Sequence, residues 1–454
     1  MTTSALTLPV VTIQPTFTEV IYDVQEGLIP YEKLWISCYK ASETSVHAKV
    51  NAELDDRDRN RVNLTPIQGE IEVSQGVSGD YAVACRPLGI PPTRVVPPVQ
   101  DYRDQERSSP SRPHRITAFN VSPDLSRFAT GYLDGSVFLY PTSPLKSPRH
   151  PLIPASVDVT KTKIFSKPHL SGITSLKFFP SSRVLLSSGL DFSLTILSAD
   201  LPESSSKYGT RVSPVRTMRA HSRAVTDTAI IALGRNVVSS SLDSTIKLWD
   251  VSSGEVITSY NTQSAVASIS LGDRLPVPPD GEEAVPPTSN DSRELPETSY
   301  KVVFCGLESG TFQLFDLGFK KSVYLSPAPT SPSSVTSIAY SQSSNLLATG
   351  SSKGLVTIYD TRSLTTPLTS FRRLETSIED LSFVQNNGAE VSLAVATSDG
   401  LPYVASVVPE GPAVSAELVG VDCDSVRNVT VRSEGGKSEV WCTSDDGVVR
   451  RYVL

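Results

Sequence analysis

The segment His221 to Asp250, HSRAVTDTAIIALGRNVVSSSLDSTIKLWD, alternates apolar and polar residues in three short runs separated by turns. A period of two puts successive side chains on opposite faces of a strand, so this is sheet and not helix. The runs are Val225 to Ile231, a second through Val237 and Val238, and a third ending at Trp249-Asp250, with turns at Gly234-Arg235-Asn236 and at Asp243. Versions of the unit recur at Ile116 to Tyr140 with His114 and Asp134, at Ile173 to Leu197 with His169 and Asp191, and at Val335 to Asp360. Tyr300 to Leu317 supplies the second half of another, with Val266 to Ser270 as its first strand, and Ile378 to Val407 and Val426 to Leu454 are weaker copies. The turn positions Glu308, Lys353, Asp399 and Asp446 recur at 45 to 47 residues, and wider steps elsewhere hold loops. Seven copies of about 45 residues form a closed repeat array, not a chain of separate domains.

The terminal Trp-Asp, with a histidine 22 residues before the turn aspartate, resembles the signature of a WD-repeat propeller blade. The fold expected is all-β: a seven-bladed WD-repeat β-propeller over residues 114–454 and a small amino-terminal β-rich domain over 1–86. The resemblance implies a structural polar network in which Asp243 accepts from His221, and His221 connects through Ser239 or Ser241 to the indole N–H of Trp249. In the amino-terminal region, Val10 to Ile13, Glu19 to Tyr22, Leu34 to Tyr39, Gly69 to Val73 and Tyr81 to Cys85 read as short strands, and Asn51 to Val62 as a solvated charged loop or short exposed helix. Residues 87–113 are proline-rich and polar and read as a linker, and residues 271–299 as a disordered insertion. The last copy stops at its third strand. Because an open edge favours aggregation, a segment between Gly79 and Val99, near Tyr81 or near Arg94-Val95-Val96, is expected to complete the seventh blade.

No catalytic pattern emerges. The five histidines are dispersed, and three of them, His114, His169 and His221, hold the same pre-strand position, where a structural hydrogen bond accounts for them. The turn aspartates fall one per blade and so do not form the close carboxylate pair that acid/base chemistry needs. There is no phosphate-binding Gly-rich loop, nucleophile elbow or zinc-protease motif, so neither enzyme activity nor a cofactor or metal is expected. Five unclustered cysteines fit buried free thiols in a reducing compartment. A formal charge of −7 argues against nucleic acid as the main partner. The absence of a long apolar run argues against a membrane span, and the expected location is cytoplasm, with nucleus as a second possibility.

Charge is distributed unevenly. His114 to Tyr260 has an excess of Lys and Arg, whereas Phe371 to Leu454 holds 7 Lys/Arg against 13 Asp/Glu. In WD-repeat propellers the loop before the first strand and the turn between the second and third open on one face, which here would gather Glu375, Glu379, Asp422, Asp424 and Asp445, with Glu308 from an earlier blade. Such a carboxylate crescent would steer and register a basic protein surface.

The words Ser222-Arg223-Ala224-Val225-Thr226-Asp227, Gly234 to Ser239 and VVFCGLESGTFQLFDL at 302 to 317 resemble the proteasomal ATPase-associated factor family, the WD-repeat assembly chaperones of the proteasome regulatory particle. The likeness runs from the Trp35 strand to about Leu364, and the final two blades match in outline only. Leu242 and Ser244 stand where family members often have Arg and Gly. The resemblance implies a non-enzymatic protein, monomeric when free, that binds the carboxy-terminal domain of a proteasomal ATPase subunit in base-assembly intermediates. Its acidic contacts match best at Glu375, Glu379, Asp422 and Asp424. The other reading is a WD-repeat scaffold or substrate receptor in a different complex.

Overall fold

The structure is a computed structural model that describes residues 5–58, 61–76, 80–145, 153–202, 209, 211–275, 291–385 and 390–454, except 435–436. Seven antiparallel sheets, each started by a strand from one sequence copy, stand around a central axis. The first strands are Ile116–Val121, Ile173–Phe178, Val225–Ile231, Val266–Asp273, Val335–Ser341, Ile378–Gln385 and Val426–Glu434, for blades 1 to 7. Each touches the next, and the first strand of blade 7 touches that of blade 1, so the ring closes. Wedges of apolar side chains fill the spaces between blades, with Val225, Val237 and Trp249 of blade 3 against Leu186 and Ile196 of blade 2, for example.

Every first strand carries a β-bulge near its start. The extra residues are Thr117, Thr174, Thr226, Ala267, Thr336, Glu379 and Arg427. A bulge leaves one residue outside the ladder and re-aims its side chain. In three blades the bulged threonine bonds the first-strand carbonyl of the next blade: Thr117 to Ile173 at 2.7 Å, Thr226 to Val266 at 2.9 Å and Thr336 to Ile378 at 2.5 Å. The bulge is therefore a blade-to-blade fastener.

The seventh blade is completed from the amino-terminal side, but by Gln100–Arg103, which pairs antiparallel with Val449–Val453. The closing segment thus lies beyond the Gly79 to Val99 interval expected from sequence. The two segments named as alternatives do something else. Ile90–Val96 pairs parallel with Ala413–Leu418, the outer strand of blade 6, and Tyr81–Cys85 and Ile71–Gln75 extend that sheet to seven strands. Residues 87–113 are consequently no simple linker: Leu88, Ile90, Val95, Val96 and Tyr102 are all buried. Local proline content misled because Pro91 and Pro92 fall at a break in register between Ile90 and Thr93, where the strand is irregular and proline is tolerated. Two more segments add strands at the rim, Leu6–Thr7 on blade 5 and Ala155–Asp158 outside the closing strand. The outer strand of blade 1 is Ile164–Ser166.

The remaining amino-terminal residues form a four-stranded sheet of Val10–Ile13, Tyr31–Tyr39, Val46–Leu54 and Val62–Gln68. Glu19 to Tyr22 is not a strand but part of the helix Phe17–Gln25, whose buried Phe17, Val20, Ile21 and Val24 recur with helical spacing. Asn51 to Leu54 finishes a strand and is not loop, because Val50 and Ala52 are buried while the intervening polar residues face out. This unit is tied to the propeller by Glu417, which accepts from the Val11 N–H at 3.0 Å and pairs with Arg373, itself donating to the Pro9 carbonyl at 2.9 Å. Of the 271–299 insertion, residues 276–290 lie outside the described residues. Its ends are ordered: the first strand of blade 4 runs to Asp273, and Asn236 bonds the Arg293 carbonyl and the Leu295 N–H. No helix among the described residues is long and apolar enough to cross a membrane.

Candidate functional site, the face of turns and pre-strand loops

One end of the ring is built from the turn between second and third strands of each blade together with the loop that precedes the first strand. In blade 3 His221 contacts Asp243 Oδ2 through Nδ1 at 2.9 Å and Ser239 Oγ through Nε2 at 2.7 Å, and the Trp249 indole donates to the same Ser239 oxygen at 2.8 Å. Ser239 is therefore the connecting hydroxyl. Ser241 instead donates to the Arg223 carbonyl at 3.1 Å. The bond pattern fits a neutral imidazole that donates from Nδ1 and accepts at Nε2. Burial lowers the His221 pKa against the pull of Asp243. Burial alone would raise Asp243, but hydrogen bonds from Thr245, the Ser222 N–H and His221 outweigh it and hold the carboxyl down at about 2.

This network is not unique to blade 3. His169 contacts Asp191 at 2.8 Å and Ser187 at 2.9 Å, with Leu197 where the indole would stand. His114 departs from the pattern: it is exposed, and Arg107 lies between it and Asp134, with Nη1 3.4 Å from each. The missed signal is Arg107, which stacks on Tyr132 and Phe138 and comes from the loop after the closing strand.

The left-handed turn residues Gly135, Phe192, Ser244, Gly310, Gly354, Gly400 and Gly447 align the seven turns. On that alignment Ser309, not Glu308, fills the turn-carboxylate position of blade 4. Glu308 belongs to the preceding, outward series Leu133, Leu190, Leu242, Glu308, Ser352, Ser398 and Asp445. The sequence misassigned it by one residue because spacing alone cannot locate a turn whose aspartate is missing.

The six nominated carboxylates divide into two groups. Glu379 is the bulged residue of blade 6, and Arg427, the bulged residue of blade 7, reaches it at 2.8 Å. Arg427 also holds Asp445 at 2.9 Å, and Asp445 holds Arg115 of the loop before blade 1 at 2.9 Å. Glu379 and Asp445 thus belong to an ionic chain that fastens blades 6, 7 and 1 at the position where blades 1, 3 and 5 use threonine. Burial raises the pKa of both carboxyls even so. Glu375, Asp422 and Glu308 are exposed, and Glu375 has only a long contact to Arg372 at 3.3 Å. Asp424 is half-buried; burial and the neighbouring Asp446 and Asp445 push its pKa up. No group of three or more His, Cys, Asp or Glu among the described residues is arranged to hold a metal ion.

Around the axis runs a polar channel of about 740 Å³ lined by first-strand residues, among them Lys177, Asp227, Asp380 and Arg432. Asp227 accepts from Ser175 of blade 2 at 2.9 Å and from the Ile269 N–H of blade 4 at 3.2 Å, while Asp380 accepts from the Val429 N–H of blade 7 at 3.0 Å. These are again inter-blade fasteners.

A radial ring of blades, each with four antiparallel strands at its core, and histidine–aspartate turn networks define a WD-repeat β-propeller protein. The WD domain, G-beta repeat family matches residues 160–196, 212–250 and 322–360. Each match spans the outer strand of one blade and the first three of the next, so the sequence repeat is offset from the structural blade. Over 262 residues the chain is 31% identical to the 26S proteasome regulatory subunit RPN14 of Saccharomyces cerevisiae, an overlap of 55% of this chain and 57% of that protein. The chain therefore aligns with little more than half of that relative's length.

Proposed function

We propose that this chain is a non-enzymatic assembly chaperone of the proteasome regulatory-particle base, and that its turn-and-loop face binds the carboxy-terminal domain of a proteasomal ATPase subunit in the cytoplasm or nucleus. The similarity to a proteasome regulatory subunit carries the reading. The face supports it with carboxylates outside the inter-blade ionic chain: Glu375, whose pair is with the exposed Arg372, and Asp422 and Asp424, on the loops before blades 6 and 7. Carboxylates held at a rim raise the encounter rate with a basic surface and set its register, and charge-assisted bonds form where water is excluded.

Calorimetric titration of the full chain with an isolated ATPase carboxy-terminal domain tests this. Glu375→Lys combined with Asp422→Lys is expected to weaken binding at least tenfold while circular dichroism stays unchanged, and added salt is expected to weaken the wild type more than the variant. Reversal at Arg183 and Arg216 serves as the comparison and is expected to have little effect. Absence of binding by the wild type, or equal losses on both sides, would refute the assignment.

A further inference from the structure

In the outward turn series, acidic residues occupy only one arc of this face. The outward turn series is Leu133, Leu190 and Leu242 in blades 1 to 3 and becomes acidic or hydroxylic in blades 4 to 7. Leu133 is 56% exposed, Leu190 42%, Phe192 beside the same turn 43%, and Leu170 in the loop before blade 2 is 84% exposed. The first two converge. A methyl group placed on Gly172 would lie 3.3 Å from both Leu133 Cδ2 and Leu190 Cδ1, so the two leucines flank one glycine across the junction of blades 1 and 2. Neighbouring large apolar side chains left in water on a folded surface mark an interaction site far more often than a scatter of single ones does.

The patch is continuous with the acidic arc. The blade 7 turn packs against the loop before blade 1, since a methyl group on Gly447 would meet the Arg107 and His114 carbonyls near 3 Å. Two arginines along this seam are paired, Arg115 with Asp445 and Arg107 with Asp134, while Arg112 of the same loop is exposed. Beyond the patch the exposed Arg223 lies in the loop before blade 3, and the exposed Lys167 shares the loop of Leu170. Moving round the face from blade 7 to blade 3, the exposed Asp422 is followed by the leucines and then by Arg223.

We infer that Leu133, Leu170, Leu190 and Phe192 form the apolar half of the docking face, and that its occupant is an amphipathic surface with an apolar ridge beside a row of lysines or arginines. The basic row meets Asp422 and Asp424, and the ridge covers the leucines. Arg223, on the next blade, repels the same surface if it is rotated the other way, so the apolar patch supplies affinity while the charges of blades 7 and 3 fix orientation. This rests on the proposed ATPase-domain reading and identifies what else that domain must present.

The test is calorimetry with the same isolated ATPase domain and full-length Leu170→Ser/Phe192→Asn, the asparagine chosen because position 192 has a left-handed backbone that asparagine accepts. Binding is expected to weaken at least tenfold, with the salt dependence of the wild type retained and a less negative heat-capacity change. Leu233→Ser, 86% exposed on the opposite end of blade 3, is expected to bind as the wild type does. If the double variant melts early, Leu170→Ser alone gives the same readout. Wild-type affinity in a folded patch variant would overturn the inference and leave the acidic-arc reading standing. Failure of the wild type to bind the domain would remove both.

Discussion

Arg427 of blade 7 places Nη1 2.8 Å from Glu379 Oε2 of blade 6, and both residues occupy the bulged position of their inner strands. The same arginine holds Asp445, which holds Arg115 of the next blade, so three blades are joined by four charges. The position that carries a single hydroxyl-to-carbonyl bond in blades 1, 3 and 5 carries an ion-pair chain here.

Removing the central cation leaves Glu379 half-buried without its ion-pair partner and Asp445 with Arg115 alone. Arg427→Met is expected to cost about 2 kcal/mol, less than the roughly 3–5 kcal/mol of a fully buried pair because each group keeps some water contact. Glu375→Gln, on the exposed rim, is expected to cost less than about 0.5 kcal/mol. Urea denaturation of the two variants checks the difference, and similar midpoints would contradict the fastening role.

The blade 3 network makes a second expectation. Asp243→Ala strands the His221 and Ser222 donors and is expected to cost about 1–3 kcal/mol, whereas Lys353→Ala, at a turn held by the Ser351 hydroxyl, should cost little. The pH dependence has a definite sign. His221 has a folded pKa below its ordinary 6.5, so its contribution is complete above that value and is lost as pH falls below it. Asp243, lowered to about 2 from 3.8, contributes fully above 3.8 and loses that contribution as pH falls toward 2. Denaturation of Asp243→Ala from pH 4 to pH 2 should show its deficit shrinking as the wild-type carboxyl protonates. A deficit that does not change with pH would count against the network.

Asp380 behaves oppositely. Burial pushes it up to about 6 in spite of the backbone N–H groups it accepts, so its charge costs stability above that pH, and the cost is relieved as pH falls from 6 toward its ordinary value. Asp380→Asn has no such relief. Relative to wild type it should therefore look worse at pH 5 than at pH 7.5, in paired thermal melts. The reverse ordering would mean the carboxyl is ionised at low cost in the fold.

Closure of the ring depends on Tyr102. It stacks on Trp441 with ring centroids 5.6 Å apart and meets Phe128 of blade 1 edge-on at 5.0 Å. Tyr102→Ala should cost about 3–5 kcal/mol, as for other large buried aromatics, while Tyr31→Ala, exposed on the amino-terminal sheet, should be near neutral. A small effect at Tyr102 in differential scanning calorimetry would show that the closing strand is dispensable.

What the sequence determined by itself was local and periodic. Alternation along Val225 to Asp250 specifies strands, and the recurrence of the unit specifies a ring, because a two-faced blade can bury both faces only between copies of itself. His221, Asp243 and Trp249 could be paired from their spacing because each sits at a fixed place in one repeat. The family resemblance was legible for the same reason. Tertiary structure alone decided which hydroxyl completes the network, since Ser239 and Ser241 share one strand face and differ only in depth. It also decided which amino-terminal strand closes the ring: Arg94-Val95-Val96 and Gln100–Arg103 both offer an edge, and the choice lies in partners more than 300 residues away. The fate of the acidic residues was settled in the same way. Nothing near Glu379 in the chain reveals that Arg427, on the neighbouring blade, occupies it, while Asp422 and Glu375 remain at the surface. Charge can be read from a sequence, but its neutralisation depends on contacts across blades.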